Sequence, residues 1–202
     1  MQLYGGFEER LEIVASRFTE AFEKAAEELR AVTGEKTYEH LETRIKSEES
    51  MEKKCLADGL ELTPHNALKV IHDSIGVRVV CLFVDDIFKN AELIRNMGCV
   101  KVIREKDYIR EAKPNGYRSY HMIVEVPDEN ADVDGNHPGK YFIEVQLRTI
   151  AMDTWAALEH ELRYKKNIKN TEMIASELKR CADELDSCDV SMQTIKDLIK
   201  AM

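Results

Sequence analysis

The sequence predicts one α/β (or α+β) sheet domain with an additional helix at each end of the chain. Two observations support this fold class. Strand-like and helical segments alternate in the middle of the chain, and apolar stripes with helical spacing lie at both ends. With 202 residues, the chain is long enough to bury a substantial hydrophobic core.

The N-terminal segment predicts an amphipathic helix. Apolar residues recur there at steps of three or four: Phe7, Leu11, Val14, Phe18, Phe22, Ala25, Leu29 and Val32. This spacing places them on one face of a helix. We expect the helix to end at Thr33-Gly34, because glycine readily adopts the left-handed conformation that follows many helices.

The middle of the chain predicts a sheet. The dense β-branched run Ile75–Val84 has no helical period and indicates a buried strand, and Asp85–Met97 indicates a helix capped by Asp85 or Asp86. The further candidates are strands at Val100–Arg104, Arg118–Val126 and Lys140–Thr149, a hairpin-type connection at Asp128–Gly139 and a helix at Ile150–Tyr164.

The C-terminal segment has a regular heptad pattern. Its apolar positions alternate steps of four and three: Ile174, Leu178, Cys181, Leu185, Cys188, Met192, Ile195 and Ile199. This spacing predicts a helix with one apolar seam. The seam would pack either on the N-terminal helix of the same chain or on a second copy, and the sequence leaves both alternatives open.

Composition excludes several classes of protein. A net charge of -9 argues against a DNA-binding or general RNA-binding protein, whose affinity comes from neutralising phosphates. We expect a cytoplasmic protein without a membrane partner, because the start lacks a signal-peptide pattern and no apolar run reaches the roughly 18 residues of a spanning helix. The chain has five cysteines and no C-x-x-C pair, which favours reduced thiols over disulfides or a structural zinc site.

Polar side chains at strand spacing suggest a functional face. Glu144, Gln146 and Arg148 alternate with apolar residues on one predicted strand, and Tyr117 and His121 share a face on another. Hydroxyl and imidazole groups can form hydrogen bonds with phosphates or ribose. The same alternation is also typical of the solvent-exposed face of an edge strand.

Two carboxylates and a group of cations suggest a phosphate site. Asp73 directly precedes the predicted buried strand, and Glu144 lies on another strand, an arrangement suited to holding Mg²⁺ against phosphate oxygens. Asp73 could instead cap a turn. Basic residues concentrate in the central third, which favours a polyphosphate pocket in an acidic chain: Lys101, Arg104, Lys106, Arg110, Lys113 and Arg118.

These segments form ordered motifs: Asp73–Arg78 (DSIGVR), Lys106–Ile109 (KDYI), Lys113–His121 (KPNGYRSYH), Glu144–Thr149 (EVQLRT) and Ala151–His160 (AMDTWAALEH). Together they resemble the synthetase domain of RelA/SpoT-type proteins, and the compact size resembles the stand-alone small alarmone synthetases. The resemblance covers residues 38–166 and implies a nucleotidyltransferase-like mixed sheet flanked by helices. Residues 1–37 would then form an N-terminal helix, and residues 167–202 a C-terminal oligomerisation helix.

The resemblance implies a (p)ppGpp synthetase, which transfers pyrophosphate from ATP to the 3′-hydroxyl of GDP or GTP and yields ppGpp or pppGpp and AMP. Asp73 and Glu144 match the residues that bind the Mg²⁺ cofactor, and Glu144 is also placed to act on the attacking hydroxyl. The matches to ATP contacts are Arg44 and Arg78 around adenine and Lys46, Ser50 and Lys54 at the phosphates. The matches on the GDP or GTP side are Tyr117, which stacks on guanine, and Lys106, Lys113, His121, Gln146, Asp153 and Glu159.

Two departures from the family pattern leave acceptor preference and ATP affinity open. Asp153 stands where some relatives carry Asn, and Ala57 stands where some carry a basic phosphate contact. Small members of the family often form tetramers, so we expect a homo-oligomer, and a regulatory RNA or an alarmone is a further partner to consider.

Two other functions compete with alarmone synthesis. A toxin-type relative would pyrophosphorylate the 3′ end of tRNA or adenosine nucleotides, although the acidic composition speaks against tRNA. A catalytically silent nucleotide- or RNA-binding regulator would be favoured if the acidic pair were lost. Because Asp73 and Glu144 are both present, the enzyme is the preferred interpretation.

Overall fold

A computed structural model describes residues 3–164 and 171–202. The helices are α1 (Glu8–Thr33), α2 (Glu48–Ala57), α3 (Val84–Arg95), α4 (Ile150–Tyr164) and α5 (Thr171–Lys200). The strands are β1 (His40–Ile45), β2 (Ile75–Cys81), β3 (Lys101–Asp107), β4 (Tyr120–Asp128) and β5 (Gly139–Thr149), and a short π-helical turn spans Asn66–Val70.

The strands form one mixed sheet in the order β1-β2-β5-β4-β3. Only the central pair, β2 and β5, is parallel, and the other three pairs are antiparallel. The polar segment 128–139 joins the hairpin partners β4 and β5, as its turn residues predicted. The predicted mixed sheet flanked by helices is therefore confirmed.

One face of the sheet is apolar and carries the core. Val77, Val145 and Met122 are at most 1% exposed and belong to one buried cluster with residues of α1 and α3. The stripe of α1 packs on this face, and Phe22 is fully buried. The helix ends as predicted at Gly34, which has a φ of +74° and donates its N–H to the carbonyl of Arg30.

The C-terminal helix packs elsewhere than on α1. It lies against α4 and α3, because the apolar stripe of α1 is used by the sheet. Trp155 of α4 donates a 2.7 Å hydrogen bond to the carbonyl of Leu178. The first half of the heptad seam is partly buried, whereas Met192, Ile195 and Ile199 are 49%, 53% and 67% exposed. The predicted domain boundary after residue 166 lies outside the described residues.

The expected cap of α3 is wrong. Phe83 occupies the N-cap position, and no side chain caps it there. Asp85 and Asp86 instead lie in the first turn of the helix, where both accept 2.7 Å hydrogen bonds from Lys196 of α5. These contacts fasten the end of the chain to α3.

Within residues 3–164 and 171–202, no helix combines the length and the apolar character needed to cross a bilayer.

Candidate active site

The face of the sheet opposite α1 carries a row of polar residues that crosses all five strands. Strand register places them side by side: Glu42, Arg78, Gln146, His121 and Lys106. Residues paired directly across a ladder project from the same face. Residues that are distant in sequence therefore meet because of the strand order. Gln146, on the alternating polar face of β5, lies at the centre of the row.

The neighbouring row contains a gap. It runs from Arg44 through Gly76 to Glu144, and the glycine has no side chain between the cation and the carboxylate. A Cβ added to Gly76 would lie 3.7 Å from Cγ of Arg44 and would project into this space. Gly76 thus leaves the floor of a cleft open.

The cleft is a cavity of about 450 Å³. This volume is within the range of small-molecule sites. Its lining comes from β1, β2, β5 and the segments beside them: Glu42, Thr43, Arg44, Lys46, Asp73, Gly76, Val77, Arg78, Glu144 and Gln146. Asp73 and Glu144, which the sequence places 71 positions apart, therefore face one shared hollow.

Asp73 uses its two carboxylate oxygens differently. Its Oδ2 accepts a 2.5 Å hydrogen bond from Lys46 and a second hydrogen bond from Lys54. Its Oδ1 is buried and has no hydrogen-bond partner. A buried carboxylate oxygen without a donor is costly. This atom is therefore available to a cation entering from the cleft.

Glu144 is held as an anion. Its Oε2 accepts a 2.7 Å hydrogen bond from the amide of Gln146, and its Oε1 lies 3.4 Å from Nδ1 of His121. Burial raises the pKa of Glu144, but His121, Gln146 and the charge of Lys54 outweigh burial and lower the pKa to about 2. The carboxylate is therefore charged at neutral pH and poised to bind a cation.

Tyr117 lies beside this pair within a group of rings and cations. Its hydroxyl shares a 2.7 Å hydrogen bond with Nε2 of His121 and accepts another of 2.7 Å from Arg148. Lys113 Nζ lies 4.7 Å and Arg148 Cζ 5.3 Å from the centre of its ring. Tyr108 packs against the ring edge-on. The ring is thus fixed by its neighbours and connected to Glu144 through His121.

Asp153 connects the two sides of the site. Its Oδ1 accepts a 3.1 Å hydrogen bond from Arg148 and lies 3.2 Å from Nε of Arg78. Arg78 also donates a 3.2 Å hydrogen bond to Glu42. These contacts hold two guanidinium groups in place with carboxylates from α4 and β1.

One family model and several known proteins match this chain. The model, described as "Region found in RelA / SpoT proteins", matches residues 43–169. The chain belongs to the RelA/SpoT family. The GTP pyrophosphokinase YwaC of Bacillus subtilis (strain 168) is 37% identical over 176 residues, which cover 87% of this chain and 81% of that protein.

Solved structures of family members agree with this fold. The small alarmone synthetase 2 from Bacillus subtilis superposes with a TM-score of 0.80 at 34% identity, covering 94% of this chain and 97% of that chain. The small alarmone synthetase 1 from the same species, bound to its product pppGpp, superposes with a TM-score of 0.72 at 30% identity. That match covers 91% of this chain and 97% of that chain.

The structure brings together most of the residues matched to the RelA/SpoT motifs. Those that line the cleft are Arg44, Lys46, Asp73, Arg78, Glu144 and Gln146. Lys54 joins them through Asp73, and His121 joins through Glu144. Tyr117 is linked to this group through His121, and Lys113 lies over the ring of Tyr117. Asp153 is linked to the group through Arg78.

The three remaining predicted residues belong neither to the lining of the cleft nor to the connected group described above. Ser50 is exposed in the first turn of α2, where its N–H and hydroxyl bond the capping Ser47. Lys106 is exposed on the edge strand β3, opposite His121 in the register. Glu159 is half-buried further along α4.

Arg148 is the main site residue that the predicted set lacks. Its side chain is 6% exposed and contacts Tyr117, Gln146 and Asp153 at once. The alternation of β5 had already placed it on the polar face. Its role was missed because the pattern cannot distinguish a solvent-exposed guanidinium from one that joins three partners.

Glu144 generates a testable pH dependence. Its pKa is about 2 in the folded chain against an ordinary value of 4.5, so its charge stabilises the fold fully above pH 4.5. This contribution is lost as pH falls towards 2. Glu144→Gln should lower the free energy of unfolding at pH 7 by up to roughly 3 kcal/mol.

The difference between wild type and Glu144→Gln should shrink as pH falls from about 5 towards 2. Urea titrations of both proteins at several pH values measure it. The exposed Glu129→Gln provides a control, because Glu129 lies on the surface of the β4–β5 connection. A difference that stayed constant across this range would contradict the stabilising charge.

Proposed function

We propose that this chain transfers pyrophosphate from ATP to the 3′-hydroxyl of GDP or GTP, producing ppGpp or pppGpp and AMP. The observation that carries the proposal is the convergence of Asp73 and Glu144 on one cleft beside Arg44 and Arg78. The names of the relatives, a GTP pyrophosphokinase and an alarmone synthetase bound to pppGpp, support the same reaction. The proposed substrates are cytoplasmic nucleotides, so we place the protein in the cytoplasm.

ATP occupies the cleft between β1 and the carboxylates in this proposal. Arg44 and Arg78 project from neighbouring strands, and guanidinium planes stack well on a flat adenine ring. Lys46 and Lys54 converge on the Asp73 end of the cleft, where they would bind the phosphates. Ser50 lies near the N-terminus of α2, an electrostatically favourable position for an anion.

The residues present fit a Mg²⁺ ion. Asp73 offers an unpartnered buried oxygen, and Glu144 offers an ionised carboxylate in the same cleft. No cluster of three His, Cys, Asp or Glu ligands occurs in the part of the chain that is described. Mg²⁺ typically uses one or two carboxylates together with substrate phosphates and water. When bound, the ion would neutralise charge that develops on the phosphoryl oxygens.

The acceptor lies on the side of Tyr117. Its guanine stacks on the tyrosine ring, while Lys113, His121 and Gln146 bind its sugar and phosphates. Lys106, Asp153 and Glu159 complete this side, and Asp153 connects it to the cleft through Arg78.

The reaction requires no covalent enzyme intermediate. The 3′-hydroxyl oxygen of the acceptor attacks the β-phosphorus of ATP and releases its proton to water, the bond from the β-phosphorus to the α–β bridging oxygen breaks, and AMP leaves with that oxygen. Catalysis rests on positioning and on cationic stabilisation by Lys46, Lys54 and the arginines. Glu144 is ionised, so it can accept a hydrogen bond from the attacking hydroxyl and orient it, and it would also hold the ion.

We also propose that the chain forms a homo-oligomer, most simply a tetramer, through α5. Met192, Ile195 and Ile199 continue the heptad seam and remain about half exposed or more. Cys188, at the preceding seam position, is exposed as well. A regular apolar seam of this kind is suited to the same seam of a second copy.

The first experiment identifies the acceptor. Purified protein with labelled ATP and Mg²⁺ should release AMP only when GDP or GTP is added, and EDTA should stop the reaction. Parallel reactions contain ATP as acceptor or deacylated tRNA. Labelled tRNA would assign the toxin-type activity instead, and nucleotide binding without turnover would assign a silent regulator.

Asp73→Ala should reduce AMP release by roughly a thousandfold or more, because the variant removes a ligand of the ion that stabilises transferring phosphate. Asp197→Asn, on the exposed part of α5, is the control and should retain wild-type turnover. Circular dichroism and thermal melting establish that both variants fold. Near wild-type turnover in folded Asp73→Ala would refute the assignment.

Light scattering tests the assembly. Wild type should be oligomeric at micromolar concentration, and the double variant Ile195→Lys/Ile199→Lys should dissociate, because two charges would be buried in the seam. Val190→Lys is the control, since the exposure of Val190, 59%, lies between those of Ile195 and Ile199, but Val190 is on another side of α5. A monomeric wild type would count against the proposal.

A further inference from the structure

The helix α5 contacts the loop that presents Tyr117 at the residue immediately before the tyrosine. Gly116 is buried with a φ of +92°, and a Cβ at this position would lie only 2.5 Å from Cβ of Ala182. Only glycine fits both the conformation and the close approach. The residual cavity between loop, α4 and α5 is about 10 Å³, room for at most one water.

The residue immediately after the tyrosine is also fixed by α5. Arg118 is only 16% exposed, and its Nε lies 3.1 Å from Asp186. Its Nη2 lies 3.9 Å from Asp183, one turn earlier on the helix. The backbone on both sides of Tyr117 is therefore held by one helix, by steric contact on one side and by ion pairs on the other.

The helix α5 is in turn attached to the frame of the active site. Asp189 is buried and accepts a 2.6 Å hydrogen bond from Thr149, the last residue of β5. The ring of Trp155, which donates to Leu178 of α5, packs edge-on against Tyr117. A polar contact at β5 and an aromatic contact at α4 thus fix the distance between α5 and the sheet.

We propose that α5 positions Tyr117 for the guanine nucleotide, with Arg118, Asp183 and Asp186 as the positioning residues. This inference rests on the proposed function of the site. Tyr117 lies in an irregular segment, so a ring that was free to move would lose conformational entropy on binding the acceptor. The donor side depends on β1, α2 and β2, so the effect should be specific to the acceptor.

The test compares two double variants that make the same change of net charge in α5. Asp183→Asn/Asp186→Asn removes the partners of Arg118. Glu177→Gln/Glu184→Gln is the matched control, because these carboxylates pair with Arg180 on the exposed side of the same helix. Thermal melting establishes that both fold.

The first variant should raise the KM for GDP or GTP about fivefold, the equivalent of a lost ion pair, and should change kcat and the KM for ATP less than twofold. The control should match wild type in all three values. Equal acceptor KM values in the two variants would overturn the inference, as would a parallel loss for ATP and acceptor.

Fluorescence of Trp155, the single tryptophan of the chain, gives a reading independent of activity. Titration with GDP alone should give a dissociation constant about fivefold weaker for the first variant than for the control. If wild type releases AMP with GDP but the first variant binds GDP as tightly as the control, only the role of α5 is overturned. Wild type inactive with every guanine nucleotide would overturn the proposed function as well.

Discussion

The parallel pairing of β2 with β5 is the constraint on which the active site depends. Its register sets Gly76 beside Glu144 and Arg78 beside Gln146. Successive side chains of a strand alternate between faces, so a slip of one residue would turn Glu144 into the core and Val145 into the cleft. The buried residues Val77, Val145 and Leu147 prevent that slip, because their apolar side chains would then be exposed to water. The hydrophobic core thus determines the position of the polar chemistry.

Periodicity along the chain predicted most of the helices and strands and the polar face of β5, whereas most of the nucleotide contacts came from the resemblance to the RelA/SpoT synthetases. The buried β-branched run became β2, the alternating run became β5, and the polar positions of β5 do face the cleft. Contacts between distant segments were not predictable in this way. Asp85 and Asp86 have the composition of a helix cap, but their partner, Lys196, lies more than a hundred residues away in sequence.

Arg148 and Tyr108 illustrate the same limit within the site. A strand pattern shows which face a guanidinium is on, but the structure is needed to show that Arg148 forms hydrogen bonds with several partners at once. Tyr108 follows β3 and meets Tyr117 only because β3 pairs with β4. The C-terminal segment forms the predicted helix, α5. This helix packs on α4 and α3 because the sheet already covers the apolar stripe of α1.

The electrostatics of the cleft explain how an acidic protein can accept nucleotides. With a net charge of -9, the surface as a whole repels anions, yet Arg44, Lys46, Lys54 and Arg78 concentrate at one cleft. Two of these cations, Lys46 and Lys54, form ion pairs with Asp73. In the proposed reaction, an incoming triphosphate would compete with that carboxylate for the lysines, and Asp73 would then bind the accompanying Mg²⁺ through its unpartnered oxygen. This change of partners would leave every charge compensated. The carboxylate of Asp73 and the triphosphate could then occupy the same cleft without strong repulsion between them.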